Sequence, residues 1–178
     1  KTTDYGATWK RVNGDLPNAH PLSYVKAVAE NPNKQGMLFA GTGHAFYYST
    51  DDGGHWTEVS AGLPHAPVSW VVVQKQFHDV VVSTYGRGLY VLDDITPLEQ
   101  STPATTDAAA HLFAPRASYR WTQRGRAQIN YSLKSAPRGP VQVQVLDADG
   151  KLVRDLRTTA RAGLNRVSWD LRYEPPRL

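Results

Sequence analysis

The chain has 178 residues, a formal net charge of +4 and no cysteine, with 40% hydrophobic and 20% charged residues. That length admits one large domain or two small ones, and the composition is that of an ordinary globular chain. The missing cysteine excludes disulfides and thiolate zinc sites, and no apolar run approaches the roughly 20 residues of a membrane-spanning helix.

The charge is uneven, with seven Lys/Arg against nine Asp/Glu over residues 1–97 and thirteen against seven over 98–178. The arginines of the basic half are scattered through apparent strands and turns, so they read as solvated surface and not as a nucleic-acid face. The chain opens on Lys1 with no basic-then-apolar leader, and the numbering is expected to begin inside a longer parent.

A repeat appears at once. Thr2-Thr3-Asp4-Tyr5-Gly6-Ala7-Thr8-Trp9 recurs 47 residues later as Ser49-Thr50-Asp51-Asp52-Gly53-Gly54-His55-Trp56, and Leu16-Pro17 answers Leu63-Pro64 at the same offset. Pro21–Val25 matches Pro67–Val71 at an offset of 46, and Phe39–Tyr47 matches Val82–Tyr90 at 43. The array is expected to end near Pro97, because Asp93-Asp94 lacks the Gly and Trp that follow in the other copies.

Each unit reads as four short strands: Tyr24–Ala29 or Ser69–Val73, Met37–Ala40 or Val80–Ser83, Ala45–Ser49 or Gly88–Leu92, and His55–Val59 with Thr8–Val12 as its counterpart. Turn residues separate them, and four strands in about 45 residues is the size of one propeller blade.

The pattern Ser/Thr-x-Asp-x-Gly-x-x-Trp suits a hairpin between the third and fourth strands. The aspartate accepts backbone N–H groups of its own turn. Gly6 and Gly53 allow positive φ, and the rings of Trp9 and Trp56 are expected to bury against the hairpin. Two equivalent aspartates in two repeats imply a repeated structural task, so Asp4 and Asp51 are not read as catalytic acids.

Both boxes resemble the Asp-box of BNR-repeat proteins, a group that includes sialidases, xyloglucan-active glycosidases and sortilin-type receptors. The resemblance covers residues 1–97. It implies a β-propeller whose structural box residues are Thr2, Asp4, Gly6, Trp9, Ser49, Asp51, Gly53 and Trp56, with the binding site on the opposite face.

Loops alternate between the two ends of a four-stranded unit, so the face opposite the boxes is expected to carry Asn18, Ala19, His20, Gly43, His44, His65, Tyr85, Gly86 and Arg87. The ligand-binding candidates are His20, His44, His65, Tyr85 and Arg87. The three histidines come from different loops with no short-spaced pair, so no metal and no cofactor is expected.

Enzyme signatures are thin. Sialidase chemistry needs an arginine triad, and this half has only Arg11 and Arg87. A glycosidase needs two carboxylates across the scissile bond. The loop face offers Asp15 and Asp79, which the sequence does not place together.

Residues 98–111 are small and polar and read as a linker, with room for a short helix at Thr106–Ala110. Strand patterns resume at Ala127–Leu133, Val141–Leu146, Lys151–Leu156 and Arg166–Leu171, with a hairpin turn at Asp147–Gly150 and Asp170 paired with a nearby arginine. The run Asp147–Arg154 followed by Ala162–Arg172 resembles the immunoglobulin-like module that follows the propeller in large exported bacterial BNR-repeat proteins. Over residues 112–178 it implies a β-sandwich with an accessory role. Glu174-Pro175-Pro176-Arg177-Leu178 stops the pattern, so either the sandwich is incomplete or the chain is truncated at both ends.

The expectation is an all-β protein made of two to three propeller blades and a small sandwich. The missing blades would come from upstream sequence or a partner chain. Its leading function is extracytoplasmic, non-catalytic binding or scaffolding, with a polysaccharide or protein ligand on the loop face. Two alternatives stand beside it: a glycoside hydrolase fragment whose catalytic carboxylates lie in absent blades, and a sortilin-like peptide receptor module.

Overall fold

The structure, a computed structural model, describes residues 1–60, 62–120, 125–158 and 160–174. The regular structure among the described residues is mostly strand, with two five-residue helices. Among the described residues no helix is long and apolar enough to cross a membrane. The chain divides into two compact units, Lys1–Glu99 and Gln100–Leu178.

The first unit holds two antiparallel sheets. One orders β1 (Val25–Glu30), β2 (Leu38–Thr42), β3 (Phe46–Ser49) and β4 (Thr57–Glu58). The other orders β5 (Val68–Gln74), β6 (Asp79–Thr84) and β7 (Gly88–Leu92). β-Branched and aromatic residues dominate these strands, as a pleated, half-buried surface requires.

The sheets share one core of Met37, Phe39, Phe46, Val68, Val71, Val80, Val82 and Ile95. Gly41 lies close against β5, where a Cβ on it would sit 2.3 Å from Val68 Cγ1. Among the described residues from Tyr24 to Leu92 no helix occurs.

The two sheets repeat one ladder. The first strand of each has a register shift at the same place, between Val25 and Ala27 and between Val68 and Trp70. By pairing, Val25 corresponds to Val68, an offset of 43 where the sequence match gave 46. Likewise Tyr47, opposite Ala40, corresponds to Tyr90, opposite Val82. The fourth strand is shorter than expected, Thr57–Glu58 in place of His55–Val59, because His55 closes the preceding turn.

Thr8–Val12 forms no strand. Its one ladder-like pair is Lys1 with Lys10, each backbone N donating to the other's carbonyl at 2.8 Å. This is the counterpart of Tyr48 opposite Thr57.

The second unit holds a sheet ordered β12 (Gly163–Trp169), β9 (Ala127–Leu133), β8 (Ala110–Leu112) and a hairpin of β10 (Val141–Leu146) with β11 (Leu152–Thr158). Lys151 N donates to Asp147 Oδ1 at 2.8 Å, and Gly150 takes φ +80°, which closes the expected turn. The last strand begins three residues earlier than expected. Arg154 lies 3.9 Å from Asp170, and Glu174 N donates to Val153 O. Pro175–Leu178 fall outside the described residues.

The stretch expected as a linker is largely ordered. Helix α1 (Thr96–Gln100) follows Ile95, and α2 (Pro103–Asp107) begins three residues before the expected helix. The reason is a capping box: Thr105 N donates to Thr102 Oγ1, Thr102 N donates to Thr105 Oγ1, and Pro103 opens the first turn. β8 then takes Ala110–Leu112 into the sheet beside β9.

Candidate functional site

Two ends of the first unit can be told apart by their turns. The two boxes, the β1–β2 turn and the β5–β6 turn lie at one end, tied by Asp52 N to Gly36 O at 2.8 Å and by Asn33 Nδ2 to Lys75 O at 2.9 Å. The β2–β3 loop, the β6–β7 loop and the entries to β1 and β5 lie at the other, tied by Gly43 N to Tyr24 O at 3.1 Å and Tyr85 N to Pro67 O at 2.8 Å.

The boxes share one hydrogen-bond pattern. In the first, Thr2 Oγ1 donates to Asp4 Oδ1 at 2.7 Å, Gly6 N donates to Thr2 Oγ1 at 2.8 Å and Thr8 N donates to Asp4 Oδ1 at 2.9 Å. In the second, Ser49 Oγ donates to Asp51 Oδ1 at 2.8 Å, Gly53 N donates to Ser49 Oγ at 3.0 Å and His55 N donates to Asp51 Oδ1 at 2.8 Å. Tyr5-Gly6 and Asp52-Gly53 both take positive φ. Hydrogen bonds from Thr8 and Thr2 hold the Asp4 carboxyl down at about 2. Those from His55 and Ser49 hold Asp51 well below the usual carboxylate range. Carboxylates committed in this way are turn braces and poor proton donors.

One expectation fails here. Trp9 does not bury its ring; it stays 75% exposed, beside Gly6. Trp56 is half-buried. The physical difference is the ladder. Trp56 precedes β4, which pairs with β3, whereas the segment after Trp9 forms no strand and pairs, among the described residues, through Lys10 with Lys1. Trp9→Ala should therefore shift stability by less than about 1 kcal/mol, checked by urea unfolding.

At the opposite end the three candidate histidines meet. The His20 and His44 rings stack with centroids 4.2 Å apart, and His65 lies 4.5 Å from His44 at a tilt. His20 Nδ1 accepts Leu22 N at 3.0 Å, and His65 Nε2 sits 2.9 Å from Glu58 Oε1. No metal-holding group of three ligands occurs among the described residues.

Tyr85 (79% exposed) and Arg87 extend from the β6–β7 loop, whose Tyr85 amide binds beside the His65 loop. Tyr24, also exposed, lies where a Cβ on Gly43 would touch its ring at 3.0 Å, so Gly43 lets this aromatic approach the loop.

Glu58 and Tyr24 were missed by the sequence reading. The seven-residue spacing of Glu58 and His65 was the only available signal. Asp15 and Asp79 do not form a carboxylate pair on the loop face. Asp15 Oδ1 accepts Trp56 N at 2.7 Å and Asp79 Oδ1 accepts Asp94 N at 2.9 Å, both at the box end. Arg11 Nε donates to Asn13 at 2.9 Å, away from the histidines.

The molecule is thus an all-β chain of small antiparallel sheets, with structural turns at one end of its first unit and an imidazole–tyrosine cluster at the other. Comparison with family models, with curated proteins and with solved structures gave no match to this chain.

Proposed function

We propose that residues 1–97 are Asp-box β-propeller blades, that residues 112–178 are an accessory immunoglobulin-like module, and that the loop end of the blades binds a polysaccharide without catalysing its cleavage. One observation carries the ligand reading: His20, His44 and His65, from three separate loops, meet ring against ring, the first two stacked and the third tilted, at the end that also carries exposed Tyr24 and Tyr85.

Sugars present apolar C–H faces and hydroxyl rims. Exposed aromatic rings take the first, while imidazole nitrogens, a tyrosine hydroxyl and the Arg87 guanidinium take the second. A peptide groove would instead want an apolar wall. The propeller reading is supported by the matching boxes, the matching first-strand bulges and the face-to-face sheets. The same resemblance assigns the module to the outside of the cytoplasm, as part of a larger exported protein.

A glycan array probed with the full chain, followed by calorimetric titration of the tightest glycan, tests the reading. Tyr85→Ala and His44→Ala should each weaken binding about tenfold or more while leaving the melting temperature near that of the parent. A blank array, or two variants that bind as the parent does, overturns it.

A further inference from the structure

Each imidazole at the loop end is held close to its own stretch of chain. His20 closes a turn in which Ser23 N donates to His20 O at 2.9 Å and Leu22 N donates to His20 Nδ1 at 3.0 Å. His44 follows Thr42, whose Oγ1 accepts the amides of His44 and Ala45 at 3.1 Å and 2.9 Å. His65 lies beyond Leu63-Pro64, and its Nε2 is 2.9 Å from Glu58 Oε1. Glu58 sits on β4 opposite Tyr47, and just after it Val59 N donates to Phe46 O at 2.9 Å.

Those partners decide which nitrogen of each ring carries hydrogen. A neutral imidazole has one N–H donor and one bare acceptor. A backbone amide only donates, so His20 Nδ1 is the acceptor and the hydrogen of that ring is on Nε2. An ionised carboxylate only accepts, so His65 Nε2 carries its hydrogen and Nδ1 is bare. The His44 ring touches both, with centroids 4.2 Å from His20 and 4.5 Å from His65.

The geometry points to Glu58 as a positioning residue that fixes the His65 hydrogen on Nε2 and makes the loop end select neutral, hydroxyl-bearing sugar over acidic sugar. A ligand must offer an acceptor to His20 Nε2–H and a donor to His65 Nδ1, and a sugar hydroxyl does either. A carboxylate cannot donate. At His65 it meets a bare nitrogen with the Glu58 charge on the far side of the ring, and like charges repel. Arg87, at the same end, makes no hydrogen bond to Glu58 among the described residues, so it does not pair with that charge. The selectivity rests on the loop-end binding reading, whereas the hydrogen positions rest on the hydrogen bonds alone.

The test has two arms, both on the full chain. The first observes the ring protons by nuclear magnetic resonance at about pH 8, above the ordinary imidazole range. His65 should show an Nε2 proton protected from exchange with water. Glu58→Gln should keep that proton, because its amide oxygen still accepts it, and Glu58→Ala should lose it. The second arm is a glycan array carrying neutral glycans beside uronate glycans of matched linkage. The parent should bind neutral glycans about tenfold or more tightly than their uronate partners. Glu58→Gln should narrow that preference several-fold at an unchanged melting temperature, whereas a merely structural glutamate would leave the preference where it was. If Glu58→Ala fails to fold, the parent spectrum and the Glu58→Gln array still decide. A protected proton on Nδ1 in place of Nε2, or uronates bound as tightly as their neutral partners, overturns the inference. A blank array beside an intact Nε2 proton overturns the loop-end binding reading and the selectivity with it, while the ring pattern stands, so the two failures are told apart.

Discussion

Gly41→Ala should destabilise the first unit by about 3 kcal/mol, at the upper end of the cost of overpacking a core. Gly41 has an ordinary φ, so backbone strain is not the cause. The cause is contact. A methyl group there would sit 2.3 Å from Val68 Cγ1 and 2.6 Å from Val68 Cβ, and Val68 is fully buried on β5 in the facing sheet.

The two sheets must separate, or Val68 must leave its place. Val68→Ala alone opens a small cavity and costs stability by the usual large-to-small route. Combined with Gly41→Ala, it should restore much of the loss, because each change relieves what the other creates. A double-mutant cycle by urea unfolding would then show coupling of about 1 kcal/mol or more. Additive losses would mean that the sheets do not meet at this point, and the stacked-blade reading would lose this contact.

What the sequence disclosed follows the range of each interaction. The box hydrogen bonds join residues two to four positions apart, such as Thr2 to Asp4 and His55 to Asp51, so a local pattern carries them whole. The gathering of His20, His44 and His65 was legible for a different reason: antiparallel strands send alternate loops to the same end, whatever their separation in sequence.

The misses are long-range or depend on neighbours. Asp15 faces the box end because its carboxylate meets Trp56 N across 41 residues. The buried Asn31 donates to Glu99 across 68 residues, and Glu99 in turn meets His78 at 2.7 Å. That network seats α1 against the β1–β2 and β5–β6 turns, and no local pattern announces it. The exposure of Trp9 was equally hidden, since the box motif reads the same at Trp9 and at the half-buried Trp56.

The second large effect belongs to Asp51. Its carboxylate takes hydrogen bonds from Ser49, from the His55 amide and from His55 Nδ1, the last at 2.5 Å. Bonds to a charged acceptor are each worth more than neutral ones. The site is partly open to solvent, so Asp51→Ala should cost about 2 kcal/mol near neutral pH in place of their full sum.

The pH dependence separates the two boxes. Asp51 titrates below its ordinary 3.8 in the folded chain, so its contribution is complete above that value and is lost as pH falls through the depressed one. His55 is raised above its ordinary 6.5 by its hydrogen bond to Asp51, so its share is complete below 6.5 and is lost as pH rises through the raised value. The parent should thus exceed Asp51→Ala by the largest margin between about pH 4 and about pH 6.5. The margin should narrow on the alkaline side and collapse in acid.

Asp4 has Thr8 where Asp51 has His55, and a hydroxyl does not titrate in this range. The margin between the parent and Asp4→Ala should therefore hold level from about pH 4 to alkaline pH. Urea midpoints of both variants across that range give the comparison. An alkaline decline in the Asp4 series, or a level Asp51 series, would show that the histidine is not what distinguishes the second turn from the first.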